Sequence, residues 1–441
     1  MYNLHNKLNE YYNSELRLKE AERNKLREYK RLNVERVKNG INTINSEENK
    51  SYPQPEVVEQ GSIAMHTTNN HPDNDYDIDV ALIFPSDGIS NSALEVRKLV
   101  EKAIKKSPGN FSREPEARTN AVTVWYAEGY HVDFAIHKKS ESFWGDKIEH
   151  GGAEWTERDP RAITNWFNSS VSSLAPSGLF GVTAEKNQLR KIVRFLKRFS
   201  KSRTSWSLPG GLVISALTVE CFQSDSHRDD IALYETIVRI NNRLKYSTSV
   251  KNPVDSSYDL TYKTQYVNEV KRFNEKLDKA IEKLSVLMDQ YCTENQAFKA
   301  WKWFFNSDFW LPEGSVKIVN EQSTALSQQI QLSASLYNKR QGFQLNSNIH
   351  GLLIPKKTWI KFTANTSIAP PFNVKWIVEN EGDEAKEKGD LTYENKEYVA
   401  TNGLITHWES TAYKGNHKLI CLIEKNGVEV AKSEFVVRVK K

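Results

Sequence analysis

Three aspartates have the spacing expected of a metal site. Asp77 and Asp79 lead into an apolar run, and side chains two residues apart on a strand project from the same side. Asp133 lies in the middle of a second apolar run, residues 130–137, where a carboxylate needs a partner. Carboxylates this close repel each other unless a cation lies between them, and Mg²⁺ prefers a few carboxylate oxygens completed by water and phosphates. The pattern therefore predicts a two-metal site for phosphoryl chemistry.

A Gly-Ser pair precedes these carboxylates. Gly61 and Ser62 are separated from Asp77 by fourteen residues. The glycine permits close backbone approach and the serine supplies a hydroxyl, which together suit the binding of phosphates. Either motif alone is nonspecific, because most Asp-x-Asp pairs are solvated carboxylates. The combination with a third aspartate about 55 residues further on is far less often purely structural than either motif alone.

A strongly basic helix is predicted further along the sequence than the three aspartates. Apolar residues recur at helical spacing over 189–199, and no acidic residue interrupts the stretch 186–203. Its basic residues are Lys186, Arg190, Lys191, Arg194, Lys197, Arg198, Lys201 and Arg203. The bases could form a solvated face, a patch for nucleic acid or a triphosphate site.

The elements that must position these residues change along the chain. Residues 3–45 carry an apolar stripe typical of one long helix packed on a globular body, with a coiled coil as the alternative. Gly40 and the polar stretch 42–50 are expected to end it. Alternating apolar residues over 56–140 predict strands, including a hairpin around residues 128–129.

The second half of the chain divides into helices and short strands. Helical spacing returns over 160–310, and the polar stretch 311–345 is interpreted as a connector. From residue 354 onward, short strands separated by turn signals predict a small β-sandwich.

Composition excludes several classes of protein. The chain has 441 residues and a net charge of +5, which does not by itself argue for tight binding of nucleic acid. It lacks an apolar run of the roughly 20 residues that a spanning helix needs, so direct membrane insertion is not expected. Cys221, Cys292 and Cys421 lie far apart, which argues against a disulfide scaffold or structural zinc site and favours a cytoplasmic location.

The Gly-Ser, Asp-x-Asp and third-aspartate arrangement resembles the DNA polymerase β-like nucleotidyltransferase superfamily. The long N-terminal helix, the run 208–215 and the segment 252–260 are similar to the bacterial branch related to cyclic GMP–AMP synthase and oligoadenylate synthase, the CD-NTases. This resemblance covers residues 1–320, with a catalytic sheet at about 50–140 and a helical lobe at about 155–310. After a linker at 321–349, residues 350–441 resemble the C-terminal sensor domain of some CD-NTases.

The resemblance implies an α+β fold and a role for each motif. The fold would be a polymerase β-like core with a helical lobe and long N-terminal helix, followed by the sandwich. Asp77, Asp79 and Asp133 would bind two Mg²⁺ ions, with Mn²⁺ as an alternative. Gly61 and Ser62 would contact the donor triphosphate of an NTP or dNTP substrate.

The resemblance also implies roles for the basic helix and the sandwich. Relatives hold the triphosphate with a base on this helix, and Arg190 and Lys191 are the candidates here. A contact at Gly210–Gly211, where some relatives have serine, would come from the backbone. The sensor resemblance rests on a set of residues in the β region: Trp359, residues 374–380, Gly382, Glu384, Ala385, Glu409, Thr411, Tyr413, Gly415 and His417.

The leading functional hypothesis is synthesis of a short signalling oligonucleotide, cyclic or linear, in antiphage defence. Its product would act on a separate effector, such as a membrane channel or nuclease, and no stable long nucleic acid is expected as a partner. Three alternatives stay open at this point. They are template-independent synthesis of linear oligonucleotides, possibly from dNTPs, single nucleotidyl transfer to RNA or protein as a toxin, and a non-catalytic binding module.

Overall fold

The computed structural model describes residues 1–441 except 71–75, 108, 110, 127–128, 142, 144, 176–186, 204, 312–329, 402–403, 426–427 and 441. These residues form two compact units. Unit 1 consists of Met1–Arg198 and Gly210–Ala297, and unit 2 consists of Phe199–Pro209 and Phe298–Lys441.

Unit 1 is built on a mixed sheet. Its main strands lie in the order β1-β2-β5-β4-β3, and β6 and β7 extend it from β5. The bounds are Glu56–Glu59 (β1), Tyr76–Pro85 (β2), Phe111–Ala117 (β3), Val122–Tyr126 (β4), Tyr130–Ser140 (β5), Lys147–Gly151 (β6) and Trp155–Glu157 (β7). β2 and β5 run parallel, whereas β4 and β5 form the predicted hairpin. The alternation of apolar residues buries one face of β2 and β5 in the main core.

Two helices cover that face of the sheet. α2 spans Glu20–Glu48 and α4 spans Ala93–Lys105, and both contribute apolar side chains to the core that contains Ile78 and Val132. The sequence predicts that the helix ends at Gly40, but α2 continues to Glu48. Gly40 lies inside the helix where α4 crosses, because a Cβ at this position would lie 2.0 Å from the Ala103 carbonyl oxygen.

The N-terminal region is not one uninterrupted helix. α1 spans His5–Tyr11, a π-helical turn spans Tyr12–Leu16, and the chain is extended at Arg17 before α2 begins. Leu16 and Leu18 are both buried, and residues two apart share a face on an extended chain but not on a helix. Arg17 also forms a β-bridge with Asn69, so tertiary pairing interrupts the predicted helix.

The remainder of unit 1 is mainly helical, and two helices continue into unit 2. The elements are α3 (Gly61–Ala64), α5 (Ala162–Ser173), α6 (Gln188–Ser200), α7 (Gly211–Cys221), α8 (Asp229–Tyr246), the strand pair β8 (Lys251–Asn252) and β9 (Asp255–Asp259), α9 (Thr264–Leu284) and α10 (Glu294–Phe305). Among the described residues, no helix is long and apolar enough to cross a membrane.

Unit 2 contains the β-sandwich. One sheet has the strand order β11-β10-β13-β16 and the other β12-β18-β17-β14-β15, and their apolar faces share one core. The bounds are Ile330–Tyr337 (β10), Gln344–Asn346 (β11), Leu353–Pro355 (β12), Trp359–Thr366 (β13), Phe372–Asn380 (β14), Asp383–Lys388 (α11), Thr392–Val399 (β15), Ile405–Ser410 (β16), Gly415–Lys425 (β17) and Val428–Lys440 (β18). The aromatic side chains of Trp301, Phe304, Phe305 and Trp310 are also buried in this unit.

The predicted connector and linker include two strands of the sandwich. β10 and β11 fall inside the range 321–349, so the described part of that range after residue 329 belongs to the sheet. The sequence of β10, IQLSASLY, alternates apolar and polar residues, and Ile330, Ala334 and Leu336 are buried. The low overall hydropathy of the stretch concealed this period of two.

Candidate active site

The parallel pairing of β2 and β5 brings the three aspartates together. Asp79 lies directly beside Asp133 in the register, and Asp77 lies beside His131. Ile78 and Val132, which alternate with them, point into the core. Because residues in register on neighbouring strands share a face, the carboxylates occupy the face of the sheet opposite the core.

Asp79 carries the most perturbed carboxyl group of the site. Burial, followed by the negative charges of Asp77 and Asp133, raises the pKa of Asp79 to about 7. The positive charge of Lys197 acts in the opposite direction. A site that concentrates negative charge in this way favours a bound cation.

The other two carboxyl groups have polar neighbours. Thr123 on β4 donates its hydroxyl to Asp133 Oδ1 at 2.5 Å, and burial nonetheless raises the pKa of Asp133. His131 Nδ1 lies 3.3 Å from Asp77 Oδ1, whose side chain is largely exposed. Asp77 therefore faces solvent, whereas Asp79 and Asp133 are more enclosed.

Gly61 approaches Asp79 so closely that no other residue fits. Its φ of +66° lies in the left-handed region, and a Cβ there would lie 1.9 Å from Asp79 Oδ2. The preceding Gln60 amide donates to the Asp79 carbonyl oxygen at 3.0 Å, which ties the Gly-Ser segment to β2. The structure thus brings together the Gly-Ser motif and the aspartates that the sequence analysis combined.

Ser62 lies in the single turn of α3 that begins at Gly61. Its hydroxyl forms a 2.9 Å hydrogen bond with the Thr68 hydroxyl, and its carbonyl oxygen accepts from the Thr67 amide at 2.8 Å. These contacts fold residues 62–68 into a compact turn beside Asp79. The roles of Gly61 and Ser62 in binding phosphate stay predictions.

The basic helix α6 holds this turn in place. Three of its bases, spaced four and three residues apart and therefore on one face, donate to successive backbone carbonyl oxygens after α3. The contacts are Arg190 Nε to Met65 O at 3.3 Å, Arg194 Nη2 to His66 O at 2.8 Å and Lys197 Nζ to Thr67 O at 3.0 Å. Part of the basic face predicted for phosphate or solvent therefore binds the protein backbone.

Arg190 and Lys191 both contact polar groups of the protein. Lys191 Nζ forms a 3.0 Å ion pair with Asp229, which is buried, and Arg190 donates to Asn168 Oδ1 at 2.7 Å. Both bases line a cavity of about 580 Å³ that is also bordered by Ile78, on the core-facing side of β2. Whether Arg190 and Lys191 also contact a triphosphate stays a prediction.

Lys197 is the base that the sequence analysis did not select. It is the cation on α6 that acts on the Asp79 carboxyl group, and its side chain passes within 3.2 Å of the Cβ position of Gly211, where α7 begins. The missed signal is the spacing 190, 194 and 197, which places Lys197 on the same face as Arg190 but almost two turns further along the helix.

The residues present suit a divalent cation in kind, although their side chains do not form a closed ligand set. Three carboxylates share one face, and the raised pKa of Asp79 reflects a charge that a cation would neutralise. Within the described parts of the chain, no three His, Cys, Asp or Glu side chains are already grouped around one metal position. Asp77, Asp79 and Asp133 would hold the metal, and the metal would supply charge neutralisation at the phosphates.

Comparisons with known proteins match a part of each unit. The family described as the cyclic GMP-AMP synthase DncV-like nucleotidyltransferase domain matches residues 55–137, which include Gly61, Ser62 and the three aspartates. The family described as the Adenylyl/Guanylyl and SMODS C-terminal sensor domain matches residues 313–440. The chain is a CD-NTase with a C-terminal sensor domain. As a DncV-like enzyme it is a nucleotidyltransferase, and the family resemblance stated from sequence is confirmed.

Relatives and solved structures agree with this assignment. A cyclic GMP-AMP synthase of Escherichia albertii is 22% identical over 399 residues, which cover 86% of this CD-NTase and 84% of the relative. The Vibrio cholerae DncV cyclic AMP-GMP synthase, solved with nonhydrolyzable GTP, has a TM-score of 0.56 at 17% identity and covers 70% of this chain and 96% of its own. The 3'-deoxy GTP bound form of Escherichia coli DncV gives 0.52 at 17% identity, with coverages of 70% and 97%. These likenesses confirm the predicted α+β fold.

Proposed function

We propose that this CD-NTase joins NTPs into a short signalling oligonucleotide, cyclic or linear, in a Mg²⁺-dependent reaction that serves antiphage defence. The observation that carries the proposal is the placement of Asp79 beside Asp133 on parallel strands and against the backbone of Gly61. The names of the relatives, which describe synthases of cyclic GMP-AMP, support the class of product.

Each residue of the site has a separate role in nucleotidyl transfer. Ser62 and the Gly61 backbone contact the donor triphosphate, and Lys197 offers it a positive charge next to the start of α7. Asp133 positions the attacking hydroxyl of the acceptor nucleotide. Asp77, Asp79 and Asp133 would hold the metal ions, which would supply charge neutralisation at the phosphates and a lower pKa for that hydroxyl.

The reaction forms one bond and breaks one bond at the α-phosphorus of the donor. The acceptor hydroxyl gives its proton to the Asp133 carboxylate while its oxygen attacks this atom, and the bond to the departing pyrophosphate breaks. Catalysis comes mainly from positioning and charge neutralisation, since the protein forms no covalent bond to the substrate. The product then acts on a separate effector protein.

The test is incubation of the full chain with each labelled NTP and dNTP in Mg²⁺ or Mn²⁺, followed by separation of the products. Short products that resist phosphatase indicate cyclic oligonucleotides, and a phosphatase-sensitive ladder indicates linear chains. The double variant Asp77→Ala/Asp79→Ala is expected to yield no product, whereas Asp87→Ala, an exposed aspartate just after β2, retains activity. Nucleotide consumption that is unchanged in the double variant would contradict the proposal.

A further inference from the structure

The sandwich of unit 2 contains a small cavity that the proposed function does not use. Its volume is about 70 Å³, and Ile360, Phe362 and Val437 are among its apolar wall. One water molecule needs about 10–15 Å³ of such space, so the cavity holds a group of about five heavy atoms and is too small for a nucleotide. Glu409, Thr411, Tyr413 and His417, which belong to the set of residues that resembles a sensor domain, all line it.

Two carboxylates define the polar side of the cavity. Asp390 accepts the Tyr413 hydroxyl at 3.0 Å, and Glu409 accepts the Tyr393 hydroxyl. Glu409 also lies 2.5 Å from His407 Nε2. The desolvation of Tyr393 and its bond to Glu409 raise the pKa of this phenol far above its usual range, and the bond to Asp390 raises the pKa of Tyr413, so both tyrosines act as neutral donors. Neutral donors leave the negative charges of the two carboxylates in place.

The basic groups of the cavity wall, Lys418 and His417, do not neutralise the negative charges of Asp390 and Glu409. Lys418 Nζ lies 3.6 Å from both Glu379 and Glu434, two carboxylates that are not part of the wall. His417 donates its Nε2 proton to the Tyr413 carbonyl oxygen at 2.8 Å, and burial lowers the pKa of His417, so the ring is neutral. Its buried Nδ1 has no hydrogen-bond partner in the described part of the chain and is an acceptor.

We propose that this cavity binds a guanidinium group. A guanidinium is planar, has five N–H donors and no acceptor, and carries one positive charge over four heavy atoms. Its size fits the cavity, its donors match Asp390, Glu409 and the His417 ring, and its weakly hydrated faces suit the apolar wall. The ligand is therefore a compound that presents a terminal guanidinium, either a free metabolite or an arginine side chain.

The experiment is titration calorimetry on the full-length protein with two pairs of probes. Agmatine represents a free guanidine, and N-carbamoylputrescine is its analogue in which a neutral urea replaces the guanidinium. N-acetyl-arginine amide and N-acetyl-citrulline amide form the corresponding pair for an arginine side chain. At least one guanidinium probe is expected to bind at least ten times more tightly than its urea partner, and the better of the two identifies the source.

Two conservative variants test the residues. Glu409→Gln and Asp390→Asn each keep an oxygen that accepts the tyrosine hydroxyl but remove one charge, so each is expected to weaken binding at least tenfold. Glu424→Gln, which alters a carboxylate paired with Lys396 outside the cavity wall, is the matched control and retains binding. Thermal unfolding shows which variants are folded. One folded cavity variant is enough to test whether the charge of the cavity is needed for binding.

The proposal is overturned if neither guanidinium probe binds at millimolar concentration, or if a folded cavity variant binds as tightly as the wild type. The binding measurement needs no nucleotide, so its outcome is independent of whether the enzyme makes the proposed oligonucleotide.

Discussion

The contact between Gly61 and Asp79 is the tightest steric constraint in the candidate active site. The Asp79 carboxylate occupies the space that a side chain on residue 61 would fill, at 1.9 Å from the Cβ position. A catalytic carboxylate must be held within a fraction of an ångström of its productive position. The glycine at residue 61 therefore permits the position of Asp79.

We expect Gly61→Ala to lower nucleotide incorporation at least 100-fold, because the added methyl group displaces Asp79. The matched control is Gly351→Ala, at a glycine with a similar φ of +74° and no atom within 4 Å of its Cβ position. Both variants carry the backbone strain of about 1 kcal/mol, but only Gly61→Ala disturbs a carboxylate. Equal activity of the two variants, measured as labelled NTP converted per minute, would contradict this account.

Substitutions of two lysines on α6 are expected to have different effects, one on stability and the other on activity. Lys191→Met leaves the Asp229 charge buried without its 3.0 Å partner, and breaking such a pair destabilises a protein by about 3–5 kcal/mol. Urea unfolding is expected to show this loss, and the double variant Lys191→Met/Asp229→Asn is expected to regain most of it.

Lys197→Met is expected to have the opposite profile. It should lower NTP incorporation about 100-fold by removing the positive charge that acts on Asp79, while loss of the hydrogen bond to Thr67 costs only about 1 kcal/mol of stability. A Lys197→Met enzyme with normal activity would exclude Lys197 from triphosphate binding, and activity lost in folded Lys191→Met would support the role predicted for Lys191.

At the level of elements, the pairing of β5 with β6 buries two histidines side by side. His137 and His150 are partners in the register, with ring centroids 5.1 Å apart. Burial, the charge of His150 and the nearby Arg158 and Arg161 lower the pKa of His137 to about 3, and burial lowers the pKa of His150. Both rings are therefore neutral in the folded protein near neutral pH.

This arrangement predicts that stability falls in mild acid. Because the unfolded chain takes up a proton below its pKa of about 6.5 and folded His137 does not, stability is lost as the pH falls from 6.5 toward 3. From pH 6.5 to 4.5 the loss from His137 is about 2 kcal/mol.

Urea unfolding at a series of pH values measures this loss. His137→Phe should flatten the dependence on pH, whereas His350→Gln, at an exposed histidine of unit 2, should leave it unchanged. A pH dependence that is the same in His137→Phe and the wild type would contradict the prediction.

At the level of the whole molecule, the chain passes from unit 1 into unit 2 and back through residues 199–209. Within unit 2, loops of the sandwich bind this segment. The Asp383 amide donates to the Ser205 carbonyl oxygen at 3.3 Å, and Lys414 Nζ donates to the Trp206 carbonyl oxygen at 2.5 Å. These contacts tie residues 205–206 to the loops of the sandwich within unit 2.

We expect Lys414→Met to loosen this segment. Amide hydrogen exchange of residues 205–207, measured by mass spectrometry, should become about 5–10 times faster, since a hydrogen bond of about 1 kcal/mol is lost. Lys432→Met, which removes a surface pair with Glu434 on β18, is the control and should leave exchange in the segment unchanged. Equal exchange in both variants would show that Lys414 does not hold the segment.

Much of the catalytic region could be predicted from sequence because its signals are local. Alternation places Asp77 and Asp79 on one face, and the apolar neighbours of Asp133 identify its strand. Both follow from the period of two in a strand. The close approach of Gly61 to Asp79 agrees with the expected need for a glycine, although its partner was not predictable.

The tertiary structure decided which partner each long side chain meets. The sequence placed Arg190, Lys191 and Lys197 on one basic helix, but only packing directs Lys191 to Asp229 and Lys197 toward Asp79. Helical spacing fixes the face of a residue and not the element that lies opposite, so charge alone could not choose among the bases.

Contacts between distant segments also explain why the predicted bounds of the N-terminal helix were wrong. The break before α2 depends on the pairing of Arg17 with Asn69, and the role of Gly40 depends on the backbone of α4, which lies more than 60 residues away. The sequence by itself determined the family, the fold class and the carboxylate face, because local periodicity and spacing encode them. Only the tertiary structure decided the base beside the carboxylates and the charged cavity of the sandwich, because these depend on contacts between distant segments.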